Sequence, residues 1–206
     1  DIEFRNLTFT YPNTGVTALK NINFKLKKGE RMALMGKTAS GKTTIAELLS
    51  RMFDVTDGQI LIDGKDIKTH NIKIIRDRIS VVPQDVFLFS DSIAGNISFG
   101  NPNATIEQIK EYAAYASIHN EIQKLPRQYE TLVGERGVTL SGGQKQRISI
   151  ARAFIKKPDV IILDDALSAV DTTTEQNILN YFDQAIKDKT AIRTATPFCT
   201  WSRIIE

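Results

Sequence analysis

The chain has 206 residues, 41% of them apolar and 25% charged, with a net charge of +3. That length supports one sizeable α/β domain or two small ones, and the composition excludes a disordered protein. The charge is too small to suggest a nucleic acid partner, and basic pairs such as Lys27-Lys28 and Lys156-Lys157 read as solvated faces. A single cysteine, Cys199, excludes an internal disulfide framework and suits a reducing compartment. No apolar run reaches the roughly 18 residues of a membrane span. The chain opens at Asp1 in strand-like sequence, which reads as a domain of a longer protein whose membrane spans, if any, lie elsewhere.

Ile2, Phe4, Leu7, Phe9 and Tyr11 roughly alternate, predicting a half-buried antiparallel strand with an irregularity at Arg5-Asn6. Ile22, Phe24 and Leu26 repeat the pattern after the Pro12 to Gly15 turn. Met32 to Met35 is a continuous apolar run, as in a strand covered on both faces. Ile45, Leu48, Leu49, Met52 and Phe53 then fall at helical spacing. Gln59 to Gly64 reads as a strand and turn, and Ile79 to Val82 as a strand closed by Pro83.

From about Asn103 to Leu125 the pattern is helical, with Thr105 and Gln108 as a capping box and Ile106, Ile109 and Ala113 on one face. A helix follows Ser141 with Ile148, Ala151, Phe154 and Ile155 inward, ending before Pro158. Val160 to Leu163 is the most apolar strand. Ile178, Phe182, Ala185 and Ile186 give a last amphipathic helix. Strands alternating with helices predict a mostly parallel sheet covered on both faces, interrupted by a helical lobe.

Gly36-Lys37-Thr38-Ala39-Ser40-Gly41-Lys42-Thr43 fits the phosphate-loop pattern, between a strand and a helix as that pattern requires. Its glycines let backbone N–H groups wrap phosphates at the positive end of a helix. Lys42 reaches the β- and γ-phosphates, the Thr43 hydroxyl ligates Mg²⁺, and Thr44 joins the nucleotide-binding set. Ala39 lacks the freedom of glycine, which predicts helical or extended backbone there. Alone, this motif says only that a nucleoside triphosphate binds; kinases and GTPases share it. Asp164, ending the buried strand, is expected to hold Mg²⁺ as well, directly or through water.

Leu140-Ser141-Gly142-Gly143-Gln144 lies between the phosphate loop and the Ile161-Ile162-Leu163-Asp164-Asp165 strand. That order resembles the nucleotide-binding domain of ABC transporters over about residues 1 to 192. The resemblance implies an α/β P-loop NTPase fold: a RecA-like, mostly parallel core with an antiparallel β subdomain and an inserted α-helical subdomain. It implies one ATPase domain over 1–206, with core about 1–84 and 151–206 and helical lobe about 85–150. ATP and Mg²⁺ are the implied cofactors. The implied partners are a second such domain, bound head to tail, and transmembrane domains at the cytoplasmic face of a membrane.

Residue by residue, Tyr11 resembles the aromatic that stacks on adenine. Gln84 resembles the glutamine that senses Mg²⁺ and γ-phosphate, and is counted with the metal and catalytic positions. Ser141, Gly142, Gly143 and Gln144 resemble the signature that meets the γ-phosphate held by the other domain. Ser168-Ala169-Val170-Asp171 resembles the loop through which the two sites communicate, and Asp171 also reads as a helix N-cap. Val133-Gly134-Glu135-Arg136-Gly137 and Ser92 to Ile97 resemble exporters.

The chain departs from the pattern twice. Asp165 stands where the family has the Glu that orients the attacking water. The missing methylene withdraws the carboxylate by about 1.5 Å, and a 1 Å misplacement can cost ~10²-fold in rate. Slow hydrolysis at this site follows as an expectation, and the second domain is either another copy of this chain or, slightly favoured, a partner that bears the Glu. The γ-phosphate histidine of the family falls near Thr196, in a segment where Arg193 would enter the core and Pro197 would remove a ladder donor. Either the histidine has been replaced or the end of the chain is altered. The alternatives are a hydrolysis-deficient regulatory half, a soluble ABC ATPase of repair or translation, and a simple P-loop kinase, in which the signature has no explanation.

Overall fold

A computed structural model describes residues 1–37, 39–134, 138–185, 188–195 and 204–205. The chain forms two compact units, residues 1–81 with 159–164 and 188–206, and residues 82–158 with 165–187.

In the first unit, β1 (Ile2–Thr10) and β2 (Thr17–Leu26) pair antiparallel, with Phe4 opposite Phe24. The expected irregularity is a register shift between Phe4 and Leu7, where Asn6 takes a φ of 46°. With β4 (Asp57–Ile62) and β5 (Lys65–Asp66), preceding α2 (Ile72–Arg78), they make a sheet of order β2-β1-β4-β5. The second sheet joins β3 (Arg31–Met35), β6 (Ile79–Val82), β7 (Val160–Asp164), β8 (Thr190–Ala195) and β9 (Ile204–Ile205) in the order β6-β7-β8-β3-β9. The β3–β8, β7–β8 and β3–β9 pairs are parallel. One core unites Phe4, Leu7 and Phe9 of the antiparallel sheet with Met32, Ile162 and Ile192 of the parallel one. Their burial is the main driving force for this unit.

Three expectations are corrected in detail. The helix leaving the phosphate loop, α1 (Lys42–Leu49), stops short of Met52, which is 64% exposed. Arg51 turns left-handed there (φ 50°) and ends the helical run. Arg193 does not break its strand. β8 runs to Ala195 with Arg193 in register with Leu163 and Ala33, and Ile192 and Thr194 buried on either side of it in sequence. The Arg193 side chain is only half-buried, which its long apolar stem allows. Pro197, Cys199 and Trp201 lie outside the described residues.

The second unit is helical. α3 (Ile93–Ser98), α4 (Ile106–Tyr115), α5 (His119–Ile122), α6 (Gly142–Ile155) and α7 (Thr172–Ala185) form it. The helical run expected over 103 to 125 divides at Ser117 (φ 54°), and Ile106 stays exposed while Ile109 and Ala113 are buried. The capping box at Thr105 and Gln108 is present. Ile148, Ala151, Phe154 and Ile155 of α6 are buried as expected, as are Ile178 and Phe182 of α7, while Ile186 lies outside the described residues; Phe154 meets Phe182 edge-on at 4.4 Å. Asn96 is fully buried; its carboxamide bonds the Phe89 backbone and accepts from Arg152 at 2.7 Å, a polar hub with its groups paired. Among the described residues, no helix is long and apolar enough to cross a membrane.

Candidate functional site

The phosphate loop leaves the end of β3 and enters α1. Thr38 lies outside the described residues; the rest of the loop is in place. A Cβ at Gly36 would come within 2.6 Å of Ser40 Oγ. Gly41 is left-handed at φ 88°, and a Cβ there would meet Ala18 O and Leu19 Cδ2 at 2.7 Å, so only glycine fits. Ala39 corrects the sequence reading. Its φ is 63°, left-handed rather than helical or extended, because the turn demands the angle that glycine supplies at no cost. Lys42 folds over the loop, its Nζ donating to the carbonyls of Gly36 and Lys37, each at 2.8 Å. Among the described residues no side chain caps the N-terminus of α1, which leaves its first N–H groups to an anion.

Tyr11 closes the turn after β1, its N–H donating to Val16 O and its carbonyl accepting from Gly15, both at 2.9 Å. Its ring lies against Phe9 and Phe53, edge to face, at 4.9 and 5.5 Å. The hydroxyl reaches α1, where it bonds Thr44 Oγ1 at 2.9 Å and Glu47 Oε2 at 2.6 Å. Burial, helped by the Glu47 carboxylate, pushes the Tyr11 phenol above its ordinary range.

Asp164 ends β7, only 3% exposed, and Oδ1 accepts from Thr194 Oγ1 at 2.8 Å. Parallel register sets that pair, because Asp164 and Thr194 are direct neighbours across β7 and β8. The hydroxyl of Thr43, exposed on the first turn of α1, is the other oxygen donor predicted for the metal. A carboxylate and a hydroxyl are the hard donors that Mg²⁺ takes, with phosphates and water completing its shell.

In the second unit, Gln84 sits exposed at the bend after β6. Asp165 is left-handed, at φ 48°, a conformation that short Asp tolerates better than most residues. Its carbonyl accepts from the Ser168 N–H at 3.2 Å and hydroxyl at 2.9 Å. Ser141 caps α6: Oγ accepts from the Gln144 N–H at 3.2 Å, and Gln144 Oε1 accepts from the Ser141 N–H at 2.9 Å. The other end of the Gln144 carboxamide donates to Glu121 at 2.9 Å, so its side chain is committed within the unit. Gly143 packs on the next loop, where a Cβ would come 2.7 Å from Ala169 O. Asp171 caps α7 by accepting from the Thr174 N–H at 3.0 Å. Of the 133–137 segment, residues 135–137 lie outside the described residues, as does Thr196.

The sequence profile of ABC transporters matches residues 19–168. This chain belongs to the ABC transporter family. It is 49% identical over 187 residues to the multidrug resistance-like ATP-binding protein MdlA of Escherichia coli, which covers 91% of the chain and 32% of the relative. It is 44% identical over 193 residues to the ATP-dependent lipid A-core flippase of the same organism, covering 93% and 33%. A solved bacterial Atm1-family ABC exporter with ATP bound superposes with a TM-score of 0.90 at 40% identity, covering 95% of this chain and 34% of that one. The chain therefore spans about a third of these relatives, and it is the ATP-binding, ATPase portion of the family's architecture.

Several residues of this ABC domain escaped the sequence reading. Arg147 donates to Glu121 Oε1 at 2.5 Å, to Ser117 O at 2.7 Å and to Gly143 O at 3.2 Å. Gln146 accepts from the Ala169 N–H at 3.1 Å. Burial opposes ionisation of Glu121, and the Arg147 and Gln144 hydrogen bonds outweigh it, holding its carboxyl below the ordinary range. Arg147 stands three residues after Gln144, on the same helix face, a spacing that was readable. Glu121 and Thr194 carried no local signal.

Proposed function

We propose that this chain is the ATP-binding and hydrolysing domain of an exporter, working at the cytoplasmic face of a membrane with transmembrane domains. Two such domains pair head to tail around two Mg²⁺-ATP, and closure drives the membrane domains. What carries the reading is one chain with both halves of a shared site: an uncapped, glycine-built phosphate loop and a rigidly capped signature helix. The exporter names of the relatives support the transport role.

In this reading Gly36, Lys37, Thr38, Ala39, Ser40 and Gly41 wrap the phosphates, with Thr44 beside them and Tyr11 under the adenine. Lys42 neutralises the β- and γ-oxygens. Thr43, Asp164 and Gln84 hold Mg²⁺, which supplies charge neutralisation on the phosphates. Asp165 orients water, from a carboxylate drawn back by about one bond. Ser141 to Gln144 complete the partner's site. The domain is single, with its helical lobe at about 85–150. Asp165 favours a heterodimer whose partner carries Glu, and it also supports a second reading: a half that binds ATP and turns it over poorly or not at all. A crystal structure with Mg²⁺-ATP tests the proposal. We expect the γ-phosphate on one chain to face Ser141 of the other; nucleotide held wholly within one chain would overturn the shared site.

A further inference from the structure

Resting on the reading of Tyr11 as the adenine platform, we propose that Glu47 is a positioning residue for the nucleotide base. Together with Thr44 it fixes the Tyr11 ring to the helix that carries the phosphate loop.

A tyrosine hydroxyl has one proton to give. That proton goes to Glu47 Oε2 at 2.6 Å, so the Thr44 hydroxyl is the donor in the 2.9 Å bond to Tyr11. Thr44 and Glu47 are three residues apart on α1 and share a face. Thr44 is buried, Glu47 half-buried. The raised phenol keeps its proton on oxygen throughout the physiological range, so the donor is permanent.

The consequence is geometric. The Tyr11 backbone is fixed by its turn, its ring is flanked by Phe9 and Phe53, and its far end is bonded to α1. α1 starts at Lys42. The distance between base platform and phosphate cradle is thus set before nucleotide arrives. A ring free to turn would pay the ordering cost of an immobilised side chain on binding, and the tether removes that cost.

The electrostatic sign separates this role from a plain charge effect. Removing the Glu47 anion beside a phosphate-binding loop should help any polyphosphate to bind. Loss of positioning should harm only a ligand that has a base. The readout is therefore the affinity for ATP relative to inorganic tripolyphosphate, measured calorimetrically on this chain. With Glu47→Ala we expect that ratio to fall by about 3- to 10-fold, while tripolyphosphate binds as well as before or slightly better. Glu47→Gln keeps an acceptor for the phenol and should restore the ratio. Tyr11→Phe, which keeps the ring and loses the bonds to both Glu47 and Thr44, should lower the ratio at least as far as Glu47→Ala.

An unchanged or increased ratio in both Glu47→Ala and Tyr11→Phe would overturn the proposal. Equal weakening of ATP and tripolyphosphate in Glu47→Ala would overturn it too, because that marks a damaged loop. Tyr11→Ala tells this failure from failure of the underlying reading. If it lowers the ratio while the other two do not, stacking stands without the tether. If it leaves the ratio unchanged, Tyr11 is not the adenine platform at all.

Discussion

The two helices to which the proposed function assigns the nucleotide begin in opposite ways. α1 starts from Gly41 with no side-chain cap, and the loop before it is shaped by left-handed backbone at Ala39 and Gly41. α6 starts from a reciprocal Ser141–Gln144 capping box, braced by Glu121 and Arg147. The first leaves its N–H groups for an anion; the second spends side chains on holding its backbone still. In the proposed shared site, a cradle that wraps phosphate needs free donors, whereas a surface offered to a second chain gains from rigidity fixed in advance.

The largest expected effect falls on the braced side. Gly143→Ala puts a Cβ 2.7 Å from the Ala169 carbonyl, backbone that cannot swing away, and should cost about 1–3 kcal/mol in denaturant unfolding. Gly142→Ala, whose Cβ would meet Ala169 Cβ at an ordinary 3.6 Å, should be close to neutral. Equal effects from the two would break the claim that the signature is locked on the following loop.

On the cradle side the contrast predicts a gain. Ala39→Gly removes a left-handed Cβ at an exposed position and should stabilise the fold by up to about 1 kcal/mol, read as a higher midpoint of unfolding. A loss would show that Ala39 makes a contact worth more than its strain.

Acid gives the smallest effect. The folded carboxyl of Glu121 is held below its unfolded value, so its stabilisation is complete above the ordinary glutamate range and fades as pH falls through the folded value. Exchange protection of the first N–H groups of α6 should decline in that acid window more than it does in Glu121→Gln, which has no carboxyl to titrate. Identical pH dependence in the two chains would remove Glu121 from the brace.

Much of this was legible in the chain itself, for a physical reason. Phosphate loops, capping boxes and buried strands are written in local spacing, so Gly36 to Thr43, Thr105 with Gln108, and Val160 to Leu163 could be read directly. Positive φ at Ala39 could not, because the turn imposes it against the residue's preference. β8 was misjudged because Arg193 looks like a core residue in one dimension, while the pleat leaves it half-buried. The Tyr11–Glu47, Asp164–Thr194 and Gln144–Glu121 bonds join residues far apart in sequence, and only the fold brings them together.

The most direct test is Mg²⁺-ATP turnover by this chain and by Asp165→Glu, side by side over a range of protein concentrations. We expect the parent to bind ATP yet turn it over slowly, and Asp165→Glu to be faster by about 10- to 100-fold. A parent as fast as the Glu variant, with specific activity that rises with its own concentration, would contradict both the short-base account and the need for a Glu-bearing partner.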